Sequence, residues 1–242
     1  MNGCEDDPRL SGEHVRTVSG SSGTVTLVGV VHDHPASTFR VQSIVADQNP
    51  DILALELPPV ALPLFEQYAR DDRTPPVFGG EMSAAIQAAS GARVVGIDGP
   101  TAGFTGRLVR TLYRNGSSLE TTRRVIEGML SATKQALVCR AASHLASVTG
   151  VRLEVDSPLT YETGWDDDPE RQAVDERMHL DRARSVLDVF EPPRAMHIRD
   201  TAREAHMADK LDDLQKDGGV VAVVGRDHLD QITAQLSDRP LS

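Results

Sequence analysis

Two apolar, largely β-branched runs constrain this chain more than any other feature: Val25-Thr26-Leu27-Val28-Gly29-Val30-Val31 near its start and Gly219-Val220-Val221-Ala222-Val223-Val224 near its end. A strand with one wet face alternates apolar and polar residues, whereas a continuous apolar run needs cover on both faces. Between them lie a third such run, Asp51 to Leu57, and a shorter one, Arg93 to Ile97, separated by segments of helical character. Strands alternating with helices imply an α/β fold, with a mainly parallel central sheet flanked by helices.

The connecting segments support that reading. Ser37 to Gln48 reads as a helix that ends at Asn49-Pro50, and Val60 to Arg70 as a second. In Glu81 to Ser90, Met82, Ala85, Ile86 and Ala89 recur at helical spacing, and Gly91 closes the segment. His14 to Val18 pairs naturally with Thr24 to Val31 as a hairpin across Ser19-Gly20-Ser21-Ser22-Gly23. The stretch from Phe104 to Thr149 is helical in pattern, interrupted at Asn115-Gly116, and leads to a polar loop, Ser157 to Pro169, around the single tryptophan, Trp165. That loop reads as a solvated acidic linker, with a lid as the functional alternative. Helices are expected from Glu170 to Phe190, Arg194 to Gln215 and Leu229 to Leu236. The expected organisation is a polar, disordered tail over residues 1–12 and one domain over 13–242, with a helical cap at about 104–190 inserted before the last strand.

Composition narrows the class. With 39% hydrophobic and 25% charged residues among 242, the chain is an ordinary globular protein. No apolar run approaches the roughly 20 residues of a membrane span, and the acidic start has no signal-peptide core, so a cytoplasmic protein is expected. A net charge of -11 argues against a nucleic-acid partner. Lys134, Lys210 and Lys216 are the only lysines, a bias that fits either a salt-rich cytoplasm or a GC-rich genome. Cys4 and Cys139 make neither a disulfide framework nor a metal knuckle.

In parallel sheets, ligands bind beyond the carboxyl ends of the strands. Here each strand end carries a group able to ligate a metal or move a proton: His32, Glu56, Asp98 and, after Gly225-Arg226-Asp227, His228. Any one of them alone is more simply a helix cap or a satisfied loop residue. Gly-x-x-His occurs twice, as Gly29-Val30-Val31-His32 and Gly225-Arg226-Asp227-His228, each time at a strand exit. Glu56 lies in an otherwise apolar strand and needs a partner, a proton or a metal. Glu81 opens a helix, where a dipole interaction and a site role weigh equally. Arg203 shares a helix face with Met207, Leu211 and Leu214 and needs an anion, while Arg199 lies nearer the edge of that stripe. His144, His179, His197 and His206 lack a ligand spacing and read as packing or surface residues.

The paired Gly-x-x-His, the Pro50-to-Leu57 strand, Gly80-Glu81-Met82 through Gly91-Ala92 to Ile97-Asp98, and Arg203-Glu204-x-x-Met207-Ala208 together resemble the TraB/PrgY family, in order from about Thr24 to Leu236. The resemblance implies a superfamily shared with Tiki proteases, erythromycin esterases and a haem-binding branch, and a site of two histidines, two glutamates and an arginine. Its PrgY branch limits peptide pheromone activity. Family members often carry arginines where this chain has Pro58 to Ala61 and Gly99, and many continue into membrane spans.

The expectation is a metal-dependent hydrolase of a small peptide or amide, with Mn, Co or Zn held by His32, Glu56 and His228. Glu81 would be the general base, with Arg203 and Asp98 beside it. Alternatives are a metal-independent, esterase-like hydrolase and a non-catalytic module that binds a peptide or cofactor.

Overall fold

The computed structural model describes residues 7–20, 23–99, 101–114, 116–149, 160–189 and 193–239. Residues 1–6 of the expected tail, Ser21 and Ser22 of the expected turn, Asn115 of the expected helix interruption, residues 157–159 of the expected loop and Phe190 at the end of an expected helix lie outside them.

The five strands run β1 (Val15–Ser19), β2 (Thr24–Val30), β3 (Ile52–Leu55), β4 (Arg93–Gly96) and β5 (Val220–Gly225), and form one sheet in the order β1-β2-β5-β3-β4. β1 pairs antiparallel with β2 as the hairpin, and the other pairings are parallel. The last strand of the sequence therefore occupies the centre, between β2 and β3, and its six residues are all buried.

Because side chains alternate across a strand, each apolar run feeds both faces. Val25, Leu27, Ile52, Ala54, Val220, Ala222 and Val224 share one core with Met207, Leu211, Leu229 and Ile232. Val28, Val30, Leu53, Leu55, Val221 and Val223 share the other with Val41, Val45, Met82 and Ala85. The first face is covered by α7 (Arg194–Leu214) and α8 (Arg226–Ser237), and the second by α1 (Pro35–Gln48) and α3 (Gly80–Ala88), with α2 (Leu62–Tyr68) beside α3. Fully burying a Leu or Val contributes about 1.5–3 kcal/mol, so two such layers dominate stability.

Helix boundaries follow local chemistry. The His34 side chain caps α1 by accepting from the Ala36 N–H, Pro35 fills the first turn, and Asn49 stops the helix in the left-handed region. Gly79 and Gly80, with φ of 82° and 48°, turn the chain into α3.

The segment expected to form a helical cap carries three helices among its described residues. α4 (Ala102–Arg114) and the first half of α5 (Leu119–Thr149) bury Phe104, Leu108 and Val125 against Ile198 and Ala202 of α7. Farther along α5, Cys139 and Ala142 pack against Ala61, Leu64 and Tyr68. α6 (Pro169–Val189) docks on α1 through a buried ion pair, in which Arg40 Nη1 and Nη2 donate to Glu176 at 3.0 and 2.5 Å. No helix among the described residues is long and apolar enough to cross a membrane.

One boundary is corrected. In the stretch from 7 to 12, expected within a disordered tail, Pro8–Leu10 forms a 3-10 turn docked on α1 and α6, and Gly12 begins a second, Gly12–His14, against β1 and β2. The reason is chemical: the Arg9 carbonyl accepts a 2.7 Å bond from Arg40 Nε, and the Arg9 guanidinium lies 3.4 Å over the Phe39 ring.

Candidate active site

The order β2-β5-β3 places three consecutive strand exits side by side. His32 follows β2, His228 lies in the first turn of α8 directly after β5, and Glu56 follows β3. They line one cleft of about 290 Å3 together with Arg203, Gly225, Tyr161 and His179.

Arg203 projects from α7 into the middle of this group. Its Nε and Nη2 donate to Asp98 at 3.1 and 2.8 Å, a bidentate pair, and Nη2 also donates to Glu56 Oε1 at 2.7 Å. Burial opposes the guanidinium charge, but Asp98, Glu56 and Asp200 outweigh it and hold Arg203 more firmly protonated than an ordinary arginine. The other oxygen of Glu56 accepts the Gly225 N–H at 2.7 Å.

Each histidine is backed by a carboxylate. His32 Nδ1 donates to Glu81 Oε1 at 2.7 Å, and Glu81 Oε2 accepts the Asp33 N–H at 2.9 Å. That second bond braces Asp33, whose φ of 58° is uncommon for a residue other than glycine. His228 Nδ1 donates to Glu204 Oε1 at 2.9 Å, leaving Nε2 3.3 Å from Arg203 Nη1 and 3.6 Å from Glu56 Oε1. The hydrogen bond to Glu81 pushes the His32 pKa up to about 9. For His228 burial acts downward, but the Glu204 bond and the Glu56 charge prevail and raise it.

The two Gly-x-x-His glycines serve different ends. A Cβ on Gly29 would lie 2.9 Å from Leu229, so this glycine admits α8 against β2. A Cβ on Gly225 would meet no clash, lying 3.5 Å from Glu56 Oε2, 3.7 Å from His228 Cδ2 and 4.0 Å from His32 Nε2. Gly225 thus leaves open the floor that both imidazoles border.

Thus His32, Glu56, His228 and Arg203 converge, while Glu81 and Asp98 take supporting places. Glu81 is 2% exposed and its two oxygens accept from His32 and from the Asp33 N–H, so it stands behind His32. Asp98 anchors Arg203 and accepts the Gly99 N–H at 2.7 Å. The divalent ion expected from the sequence fits this donor set poorly. Glu56 bonds Arg203 and the Gly225 N–H, and the Arg203 guanidinium also lies 3.3 Å from His228 Nε2, so a metal held by these groups would sit against a resident cation. Among the described residues no group of three or more His, Cys, Asp or Glu side chains is arranged to hold a metal ion.

Sequence reasoning gave no role to three residues. Glu204 was visible in the sequence only as the neighbour of Arg203, and its place behind His228 follows from the fold. Tyr161, not Trp165, is the loop residue at the cleft: its hydroxyl donates to the His32 carbonyl, and its ring packs against His34 and His179 at 4.6 and 5.3 Å. His179, read as a packing or surface residue, lines the cleft, whereas His206 packs beneath Phe104 and bonds Thr101 as expected of a core histidine. Trp165 is 47% exposed.

Comparison with protein-family models, with curated proteins and with solved structures finds no match to this chain.

Proposed function

We propose that the cleft is a hydrolytic site for an ester or amide carbonyl, worked by two carboxylate-backed imidazoles and an arginine. The observation that carries this reading is the pairing itself: Glu81 behind His32 and Glu204 behind His228, with both rings facing the floor above Gly225. A carboxylate on Nδ1 fixes the tautomer and turns Nε2 to the reaction, as in other acid–base sites.

The two rings divide the roles. His228 is the more buried, and its Nε2 is unprotonated where it meets Arg203 Nη1; when that N–H turns to the substrate carbonyl oxygen, the Nε2 lone pair is freed to accept a proton from water. His32, held as the imidazolium, donates its Nε2 proton to the leaving oxygen or nitrogen. Water oxygen bonds to the carbonyl carbon, the bond to the leaving group breaks, and an acid and an alcohol or amine depart. Exchange with solvent then returns the proton from His228 and restores that of His32. Arg203 stabilises the charge that develops on the carbonyl oxygen, an effect worth about 2.7–4 kcal/mol for a single well-placed donor.

The ordered motif likeness to the TraB/PrgY family supports a hydrolase, since its superfamily includes peptide and ester cleavage. A metal-assisted route has one observation in its favour: carboxylates behind both imidazoles also occur behind metal-bound histidines. One experiment separates these readings. Turnover of p-nitrophenyl esters and short peptides is measured after dialysis against chelator, beside elemental analysis and the His228→Ala and His32→Ala variants. Chelator-resistant turnover, lost in both variants, is expected. Turnover that vanishes with chelator and returns with Mn, Co or Zn would replace this mechanism with the metal route, and stoichiometric binding without product would make the protein a binding module.

A further inference from the structure

A second cleft lies on the far side of Arg203. It has a volume of about 240 Å3 and is lined by Asp98, Gly99, Phe104, Gly128, Met129, Arg199 and Arg203. Arg203 lines both clefts, so the second adjoins the first at the guanidinium. Its walls differ from those of the first: Phe104 and Met129 are apolar, and its remaining cation is Arg199, one helical turn before Arg203 on α7.

Two details show that this space is held open. Arg199 commits Nε and Nη2 to Asp200, each at 3.1 Å, and Nη1 has no hydrogen-bond partner among the described residues. Gly128 stands inside the 31-residue α5, where glycine costs about 1 kcal/mol relative to alanine. Packing does not require it there, because the nearest atom to an added Cβ is Arg199 Nη1 at 3.8 Å. Any side chain at 128 would grow toward Arg199 and into the cleft.

From these observations, and resting on the hydrolytic reading of the first cleft, we infer that the second cleft takes the free carboxylate end of the substrate. Arg199 would bind the carboxylate, and Phe104 and Met129 would receive an apolar side chain. Arg199 and Arg203 are four positions apart on α7, a rise of about 6 Å. An extended chain covers about 3.3–3.6 Å per residue, so the carboxylate lies one or two residues beyond the carbonyl attacked. The substrate class is therefore a short acylated peptide with an apolar terminal residue and a free α-carboxylate.

The test compares N-acetylalanylphenylalanine with its C-terminal amide, using wild type, Arg199→Gln and Gly128→Leu, with folding of each variant checked by circular dichroism. Wild type is expected to prefer the acid by at least tenfold in kcat/KM, and both variants to lose the preference. Equal use of acid and amide by wild type, or a preference that survives in folded Arg199→Gln, overturns the assignment. If wild type hydrolyses neither compound, the catalytic reading fails for this class and calorimetric binding decides the second cleft. At least tenfold tighter binding of the acid, lost in Arg199→Gln, upholds it, and equal or absent binding overturns it.

Discussion

At the scale of the residue, the division of labour between two similar histidines comes from their surroundings. His32 is 57% exposed in its side chain yet is held protonated by the buried Glu81, whereas His228 is largely buried beside both Glu204 and Arg203. If His32 is the acid and His228 the base, kcat/KM is bell-shaped in pH. Activity falls on the alkaline side as pH rises through about 9 and His32 loses its proton. It falls on the acid side as His228 gains one, above the ordinary histidine value because that pKa is raised. Glu81→Gln removes the charge that sustains the His32 imidazolium, so the alkaline limb moves to lower pH. A limb that stays in place excludes His32 as the acid. A second expectation concerns Gly225, whose φ of -55° suits any residue. Gly225→Ala places a methyl group on the cleft floor without strain, and kcat/KM drops about tenfold or more with an unchanged melting temperature. Full activity in that variant would show that substrate does not approach this floor.

At the scale of the element, α6 is the piece whose attachment is most exposed to a single change. Arg40 is fully buried and Glu176 1% exposed, and Glu176 also accepts from Ser37 at 2.5 Å. Two charges taken so far from water are tolerated because each nearly saturates the other. Glu176→Gln leaves the Arg40 cation uncompensated and is expected to lower unfolding free energy by about 3–5 kcal/mol in urea titrations. A loss below about 1 kcal/mol would mean that water or another anion reaches Arg40. The same helix carries His179 and, through Asp175 and Thr163, secures the segment that brings Tyr161 over His32. A loosened α6 therefore also alters the roof of the cleft, while the floor on β2 and β5 stays put. Helix periodicity located α6 but could not locate this attachment, because Arg40 and Glu176 are 136 residues apart.

At the scale of the whole molecule, stability at acid pH tests the buried polar layer. Burial, and then the charge of Arg40, push the His14 pKa down to about 4, below its unfolded value of 6.5. The folded state thus binds this proton less readily than the unfolded chain, and stability is lost as pH falls from about 6.5 to about 4. The loss is on the order of 3 kcal/mol. Its source is checked by comparing the pH dependence of unfolding in wild type and His14→Gln, and identical slopes would assign the acid sensitivity elsewhere. The same long-range packing marks the limit of what the sequence determines. Hydrophobic runs, glycine and proline stops and helical spacing are local, so the strands, the helices, the parallel α/β class and the polar strand exits at His32, Glu56, Asp98 and His228 were all legible in one dimension. The docking of Pro8–Leu10 on α1 and α6, the supporting roles of Glu81 and Asp98, and the places of Glu204 and Tyr161 were not. They depend on β5 threading between β2 and β3 and on α7 lying across the strand ends. That order is chosen by how apolar faces far apart in the chain bury one another, and only then does a given carboxylate come within hydrogen-bonding distance of a given histidine.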